Sequence, residues 1–162
     1  MTAASFSPDN NYRIEPAGWR DTLAIYRLER IVFPRDTYLP PEILFLLLWP
    51  GIRNLKVVTP GGGVVGYISA GKLPGGGRTW IMTIGVHPDH QRRGLGSRLL
   101  ATVEAALTSP TIYLTVRASN TAALRLYERA GYRRVGVKHG YYADGEDGIE
   151  MRKDRPAARL QP

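Results

Sequence analysis

The sequence predicts a single α/β (α+β) domain of about seven strands and about four helices. Three observations carry this expectation. Short β-branched or alternating runs interleave with longer stretches of helical period, so strands and helices share one chain. A glycine-rich turn, Gln91-Arg92-Arg93-Gly94-Leu95-Gly96, joins an apolar strand to an amphipathic helix, the arrangement that suits an anion site. The length of 162 residues, 43% of them hydrophobic, is enough for one well-buried core and too little for two.

Arg13 to Pro16 reads as a short edge strand. Trp19 to Phe33 reads as a helix with Leu23, Ile25, Tyr26, Leu28, Ile31 and Val32 on its apolar side, ended by Pro34. Pro40 and Pro41 precede a second helix, Glu42 to Trp49, because proline suits a first helical turn. Its run Ile43 to Trp49 is apolar on too many sides for exposure, so a sheet face, an acceptor wall or a dimer contact must cover it. Strands Asn54 to Thr59 and Val64 to Gly71 flank Pro60-Gly61-Gly62-Gly63. Gly61, Gly63 and Gly66 match G-x-G-x-x-G, but that fingerprint must open a helix, and here the chain continues as a strand, so the reading is a hairpin.

The next strand is Thr79 to Val86, followed by the glycine-rich turn and a helix from about Gly96 to Leu107. That helix places Leu99, Leu100, Val103 and Leu107 on one side, with Arg98 and Glu104 elsewhere. Thr111 to Val116 is a strand, Ser119 or Asn120 caps a helix through Ala130, and Gly131 is a left-handed stop. Strands Tyr132 to His139 and Ile149 to Arg152 flank a polar turn. The domain is expected over residues 1–153, with 154–162 as a mobile tail.

Absence of cysteine excludes disulfides, thiolate metal sites and a cysteine acyl-enzyme, and favours a reducing, cytoplasmic setting. Met1 to Asn11 lacks the layout of a secretory signal. The longest apolar run, Ile43 to Trp49, falls far short of the about 20 residues that cross a bilayer, so no membrane association is expected. The net charge of +8 is unevenly placed: eight arginines against two acids lie between Gln91 and Arg134, and four acids between Asp144 and Glu150. That pattern fits an anionic ligand at one place and a cationic group at another, and no nucleic-acid reader motif accompanies it.

In the turn, two glycines let the backbone approach a ligand so that several N–H groups meet one anion. The following helix adds its dipole, and Arg92 and Arg93 add charge. No Gly-Lys-Ser/Thr ending is present, so a diphosphate held without metal is the better reading. His87-Pro88-Asp89-His90 lacks the further ligands a zinc site requires. No Gly-x-Ser-x-Gly elbow is found, which favours direct transfer over a covalent intermediate.

Ile84-Gly85-Val86-His87-Pro88-Asp89-His90-Gln91-Arg92-Arg93-Gly94-Leu95-Gly96 resembles the acetyl-CoA signature of the GNAT acetyltransferases. Val116 to Tyr132 resembles a block seen in those that acetylate protein N-termini, including the ribosomal-protein alanine type; the likeness extends over about residues 12–153. It implies a mixed central sheet splayed near its middle, with acetyl-CoA as co-substrate in the gap. On this resemblance Gln91, Arg92, Arg93, Gly94, Leu95, Gly96 and Ser97 hold the pyrophosphate, and Ile84, Gly85 and Val86 pair with the pantetheine arm, one amide polarising the thioester carbonyl. Asn120 and Ala123 join the cofactor site, and Tyr127 sits beside the sulfur. A phenol of pKa about 10 stays protonated at neutral pH, so Tyr127 suits the general acid that protonates the leaving thiolate.

The acceptor side falls on Phe33, Trp80, Met82, Thr115, Tyr141 and Tyr142, the tyrosine pair standing where the family grips the substrate peptide. Two positions depart from the pattern. Thr115 stands where relatives carry a glutamate or histidine base, and Trp80 stands where one of them has a tyrosine. The base is therefore Glu29, Asp36, Glu42 or a water chain. An α-amine is about one-fifth to one-third free base near pH 7.4, a lysine about a thousandth, so the missing base favours an α-amine acceptor. The sequence thus implies N-acetylation of a protein or peptide N-terminus by a monomer or homodimer; a small-molecule amine acceptor, or a non-catalytic acyl-CoA-binding module, stand as alternatives.

Overall fold

The strand Thr111–Arg117 alternates buried Ile112, Leu114 and Val116 with half-exposed neighbours, as a sheet with one well-covered face requires. Val64–Gly71 is instead buried along almost its whole length, because helices cover both faces of the sheet there. These are β5 and β3 of a computed structural model that describes residues 11–156. The expectations for Met1 to Asn10 and for residues 157–162 lie outside the described residues. The other strands are β1 (Arg13–Pro16), β2 (Ile52–Val58), β4 (Thr79–Val86), β6 (Arg133–Lys138) and β7 (Gly148–Asp154). The helices are α1 (Thr22–Val32), α2 (Pro40–Leu48), α3 (Leu95–Ala106) and α4 (Thr121–Arg129), with a 3-10 turn Trp19–Asp21 where the first helix was expected to begin.

All seven strands form one mixed sheet, ordered β1-β2-β3-β4-β5-β7-β6. Every pairing is antiparallel except β4 with β5, which is parallel and covers only Thr79↔Ile112 and Trp80↔Tyr113. Beyond Trp80 the two strands part, although β4 stays paired to β3 as far as Val86. The register skips Met82 opposite Ser69 and Ala70, a bulge that bends β4 where the gap opens. The Gly61–Gly63 segment is the hairpin between β2 and β3, closed by the Thr59 and Gly63 backbone.

On one face α3 and α4 bury Leu99, Leu100, Val103, Leu124 and Tyr127 against Ile68, Ile81, Ile112 and Leu114. On the other, α1 and α2 bury Ile25, Leu28 and Ile43 against Tyr67. Each such side chain contributes about 1.5–3 kcal/mol by leaving water.

The sequence pattern misjudges two helix faces. On α1, Leu23 and Ile31 are exposed while Glu29 is buried. On α3, Glu104 is buried, where it accepts from the Tyr132 hydroxyl at 2.8 Å and pairs with Lys153 at 2.7 Å. Both carboxylates sit inside because the sheet supplies donors to them, which a helical period cannot reveal. Of the apolar run on α2, Ile43 and Leu46 are buried, whereas Leu44, Phe45 and Leu48 are exposed.

The expected domain end at residue 153 falls within β7, which runs through Asp154. Arg155 then holds the backbone oxygens of Glu104 and Leu107, and its amide donates to Pro110 O at 2.7 Å. Among the described residues no helix is long and apolar enough to cross a membrane.

Candidate functional site

At the end of β4 the chain turns through Gln91 to Gly94 into α3. Arg92 (φ 61°) and Gly94 (φ 72°) both adopt the left-handed region, an alternation that aims successive N–H groups into one concavity. Gly94 is the N-cap of α3, and Arg98 N is bonded to its oxygen, so the amides just before Arg98 have no partner within the helix. Gln91 Nε2 donates to Val86 O at 3.0 Å and ties the turn back to β4. A left-handed arginine costs about 1 kcal/mol, a strain that cradles of this kind carry.

This turn opens on a cavity of about 740 Å³ bounded by the diverging end of β4, the end of α1, α4 and Arg117 at the end of β5. Ile84, Gly85 and Val86 line its β4 side, Asn120 and Ala123 its α4 side, and Gln91, Arg92, Gly94, Leu95, Gly96 and Ser97 its far end. Arg93 is the one expected cofactor residue outside that lining. Gly85 has a packing reason as well: a Cβ there would lie 3.0 Å from the Val32 side chain and 3.1 Å from the Phe33 ring, so glycine lets the end of α1 close over the strand without either giving way. A strand edge that is not paired to β5 beyond Trp80, leading to a cationic helix N-terminus, suits an extended amide-bearing chain that ends in a diphosphate.

Asn120 caps α4: its Oδ1 accepts from Ala123 N at 3.1 Å, which leaves its amide nitrogen for a ligand. Two turns further on, Tyr127 lines the large cavity and a second, smaller one of about 200 Å³. Its ring packs edge-on against Tyr132, 5.9 Å between centroids. Its hydroxyl makes no hydrogen bond to the described residues, yet it is not sealed in the interior, so it faces the cavities. Burial, and then the nearby Tyr142, push the phenol well above its ordinary value, which keeps it a proton donor.

The smaller cavity separates the three carboxylate candidates. Glu29 lines it; Thr83 Oγ1 donates to its Oε1 at 2.8 Å, and Tyr38 N reaches its Oε2 at 3.5 Å. Desolvation raises the Glu29 carboxyl above the usual range, against the lowering effect of those two bonds. Tyr38, in the same cavity, is pushed up to about 12 by burial and by Glu29. Asp36 also lines the cavity, but Arg117 holds both its oxygens, at 2.6 and 2.8 Å. Glu42 is not in the lining; it accepts from Leu39 N at 2.7 Å and caps α2.

Of the six residues expected on the acceptor side, Phe33, Met82, Thr115, Tyr141 and Tyr142 line this cavity, and Trp80 does not. Trp80 packs on Tyr113, 5.4 Å between ring centroids, beneath Lys138 at 4.8 Å. The same Lys138 donates to Thr115 Oγ1 at 3.1 Å and pairs with Glu150 at 3.4 Å. Thr115 therefore meets a cation rather than supplying a base. The acids of the polar turn are engaged internally: Asp144 and Glu146 with Arg117, and Asp147 with Gly140 N and His139. Of the histidines, His90 Nδ1 meets Tyr12 Oη at 2.7 Å and His87 accepts from Asp89 N. Among the described residues no group of three or more His, Cys, Asp or Glu is placed to hold a metal ion. Thr83, Tyr38, Lys138 and Arg117 were not singled out by sequence, because the carboxylates and rings that they meet lie on other elements, Arg117 standing 81 residues from Asp36 and 27 from Asp144.

The sequence profile described as the Acetyltransferase (GNAT) family matches residues 19–132. The N-alpha-acetyltransferase RimI of Mycobacterium tuberculosis is 42% identical over 133 residues, 78% of this chain and 82% of that protein. N-alpha-acetyltransferase 20 of Dictyostelium discoideum is 34% identical over 128 residues, 74% of this chain and 72% of that protein. Among solved structures, the ribosomal-protein-S18-alanine N-acetyltransferase of Escherichia coli superposes with a TM-score of 0.80 at 26% identity, covering 93% of this chain and 99% of that one. With the profile matched over most of its length and relatives of this identity and coverage, the chain belongs to the acetyltransferase (GNAT) family.

Proposed function

We propose that this protein transfers an acetyl group from acetyl-CoA to the α-amine of a protein or peptide N-terminus, by direct attack in a ternary complex. The observation that carries the reading is the meeting of two cavities at Tyr127: a large one with a diphosphate cradle, and a small one that holds Glu29. The relatives from Mycobacterium tuberculosis and Dictyostelium discoideum are N-alpha-acetyltransferases, which supports the acceptor class.

Backbone groups of Ile84, Gly85 and Val86 align the donor and polarise its carbonyl, while the turn and Arg92 hold its phosphates. The amine nitrogen attacks the thioester carbon, the carbon–sulfur bond breaks, and the Tyr127 hydroxyl gives its proton to the departing sulfur. Glu29 takes the proton that the amine loses. Each carboxylate oxygen has two lone pairs, so accepting from Thr83 and Tyr38 leaves room for that proton. The raised pKa makes Glu29 a stronger base than an exposed carboxylate, and an α-amine demands little more.

Release of free thiol from acetyl-CoA, measured with peptides of free and of blocked N-terminus, tests the proposal. Turnover confined to free N-termini supports it. Turnover of small amines with none of peptides overturns it.

A further inference from the structure

Arg117, at the end of β5, is only 12% exposed although it lies between two surface connections. Its Nε and Nη2 donate to the two oxygens of Asp36, at 2.6 and 2.8 Å, in the connection from α1 to α2. Its Nη1 donates to both oxygens of Asp144 at 3.0 Å and to Glu146 at 2.9 Å, in the turn between β6 and β7. The guanidinium also lies 4.1 Å from the Tyr142 ring centroid. Arg35 adds a second link to Asp144 at 3.1 Å, and Glu146 reaches on to Ser119 N at 2.9 Å.

One side chain thus joins two segments far apart in sequence; it and Asp36 stand where the two cavities meet, and Tyr142, which it also touches, is a wall of the small cavity alone. A planar fork with five donors can serve several carboxylates at once, which a lysine cannot. The bonds to Asp36, first of all, raise its pKa, so it stays charged throughout the working range. Two guanidinium groups face three carboxylates here, and the cluster keeps one negative charge toward an incoming ammonium.

Resting on the acceptor reading given above, we propose that Arg117 is a positioning residue for the acceptor: it draws the α1–α2 connection and the β6–β7 turn together and fixes the walls between which the substrate N-terminus lies. Arg117→Gln leaves three carboxylates with only the exposed Arg35 between them, and the segments separate. The expected result is an acceptor KM raised about tenfold or more, the loss typical of breaking a partly buried charge network, with kcat and the acetyl-CoA KM changed less than about threefold. Arg117→Lys rescues little. The exposed-side variant Asp144→Asn with Glu146→Gln shifts the acceptor KM in the same direction without touching the arginine.

Hydrogen exchange, which needs no activity, reads the same link: residues 34–39 and 139–147 exchange faster in Arg117→Gln while the β2–β3 core is unchanged. Unchanged exchange in both segments, or equal losses in the two KM values, overturns the proposal. A wild-type protein that acetylates no amine sinks the proposed function instead, and faster exchange at both segments still upholds the link.

Discussion

Replacing Glu29 by glutamine removes a proton acceptor and almost nothing else. The amide oxygen keeps the 2.8 Å bond from Thr83, and only the 3.5 Å approach of Tyr38 N is disturbed. Stability moves in the favourable direction. Burial raises the Glu29 pKa, so the native state binds this proton more tightly than the unfolded chain does, and stability falls as pH rises from about 4.3 through the raised folded value. A neutral glutamine escapes that loss, so the variant is at least as stable as the wild type at neutral pH.

Activity moves the other way. General-base assistance is worth about 10²–10⁴-fold, and an α-amine already partly deprotonated near pH 7.4 places the loss near the lower end, about a hundredfold in kcat. Thiol release followed from pH 5.5 to 9 checks this. The wild type loses rate on the acid side where Glu29 takes up a proton, whereas the residual rate of the variant rises through the amine's own pKa of about 7.7–8. A kcat within about threefold of wild type refutes Glu29 as the base; so does a loss matched by falling stability and a weaker acetyl-CoA KM.

Tyr127→Phe removes a hydroxyl that has no hydrogen-bond partner among the described residues, so stability stays within about 0.5 kcal/mol while kcat falls about a hundredfold at unchanged acetyl-CoA affinity. Thermal melting beside steady-state kinetics measures both. Gly85→Val drives a side chain into Val32 and Phe33, which already lie at 3.0 and 3.1 Å from a Cβ; a cost of about 1–3 kcal/mol should appear as a lower denaturation midpoint. Ending the chain after Asp154 strips Glu104 O and Leu107 O of the Arg155 guanidinium, and urea unfolding should register about 1–3 kcal/mol.

The cradle was legible because its signals are local: glycines at the turn, an apolar strand before it and an amphipathic helix after it. Asn120 was legible as a helix cap from its local sequence, but the place of Asn120 and Tyr127 beside the cavity was legible only through the resemblance, since a tyrosine on a helix has no local mark of its surroundings. Glu29 was one of three carboxylates that sequence alone left equal. What separates it is tertiary: Thr83 on β4 and the backbone of Tyr38 make a buried carboxylate tolerable, while Asp36 and Glu42 have other partners. Trp80 falls outside the small cavity because the divergence of β4 from β5 begins after it, and strand pairing over two residues leaves no trace in the pattern. Arg117 and Asp36 lie 81 residues apart, beyond the reach of any periodicity.

The proposed acceptor is an α-amine. Its most direct test is a single peptide with both a free N-terminus and an internal lysine, incubated with acetyl-CoA and the protein, its product mapped by tandem mass spectrometry. The expected product carries one acetyl group, on the N-terminal nitrogen. Acetylation of the lysine at a comparable or greater rate contradicts it.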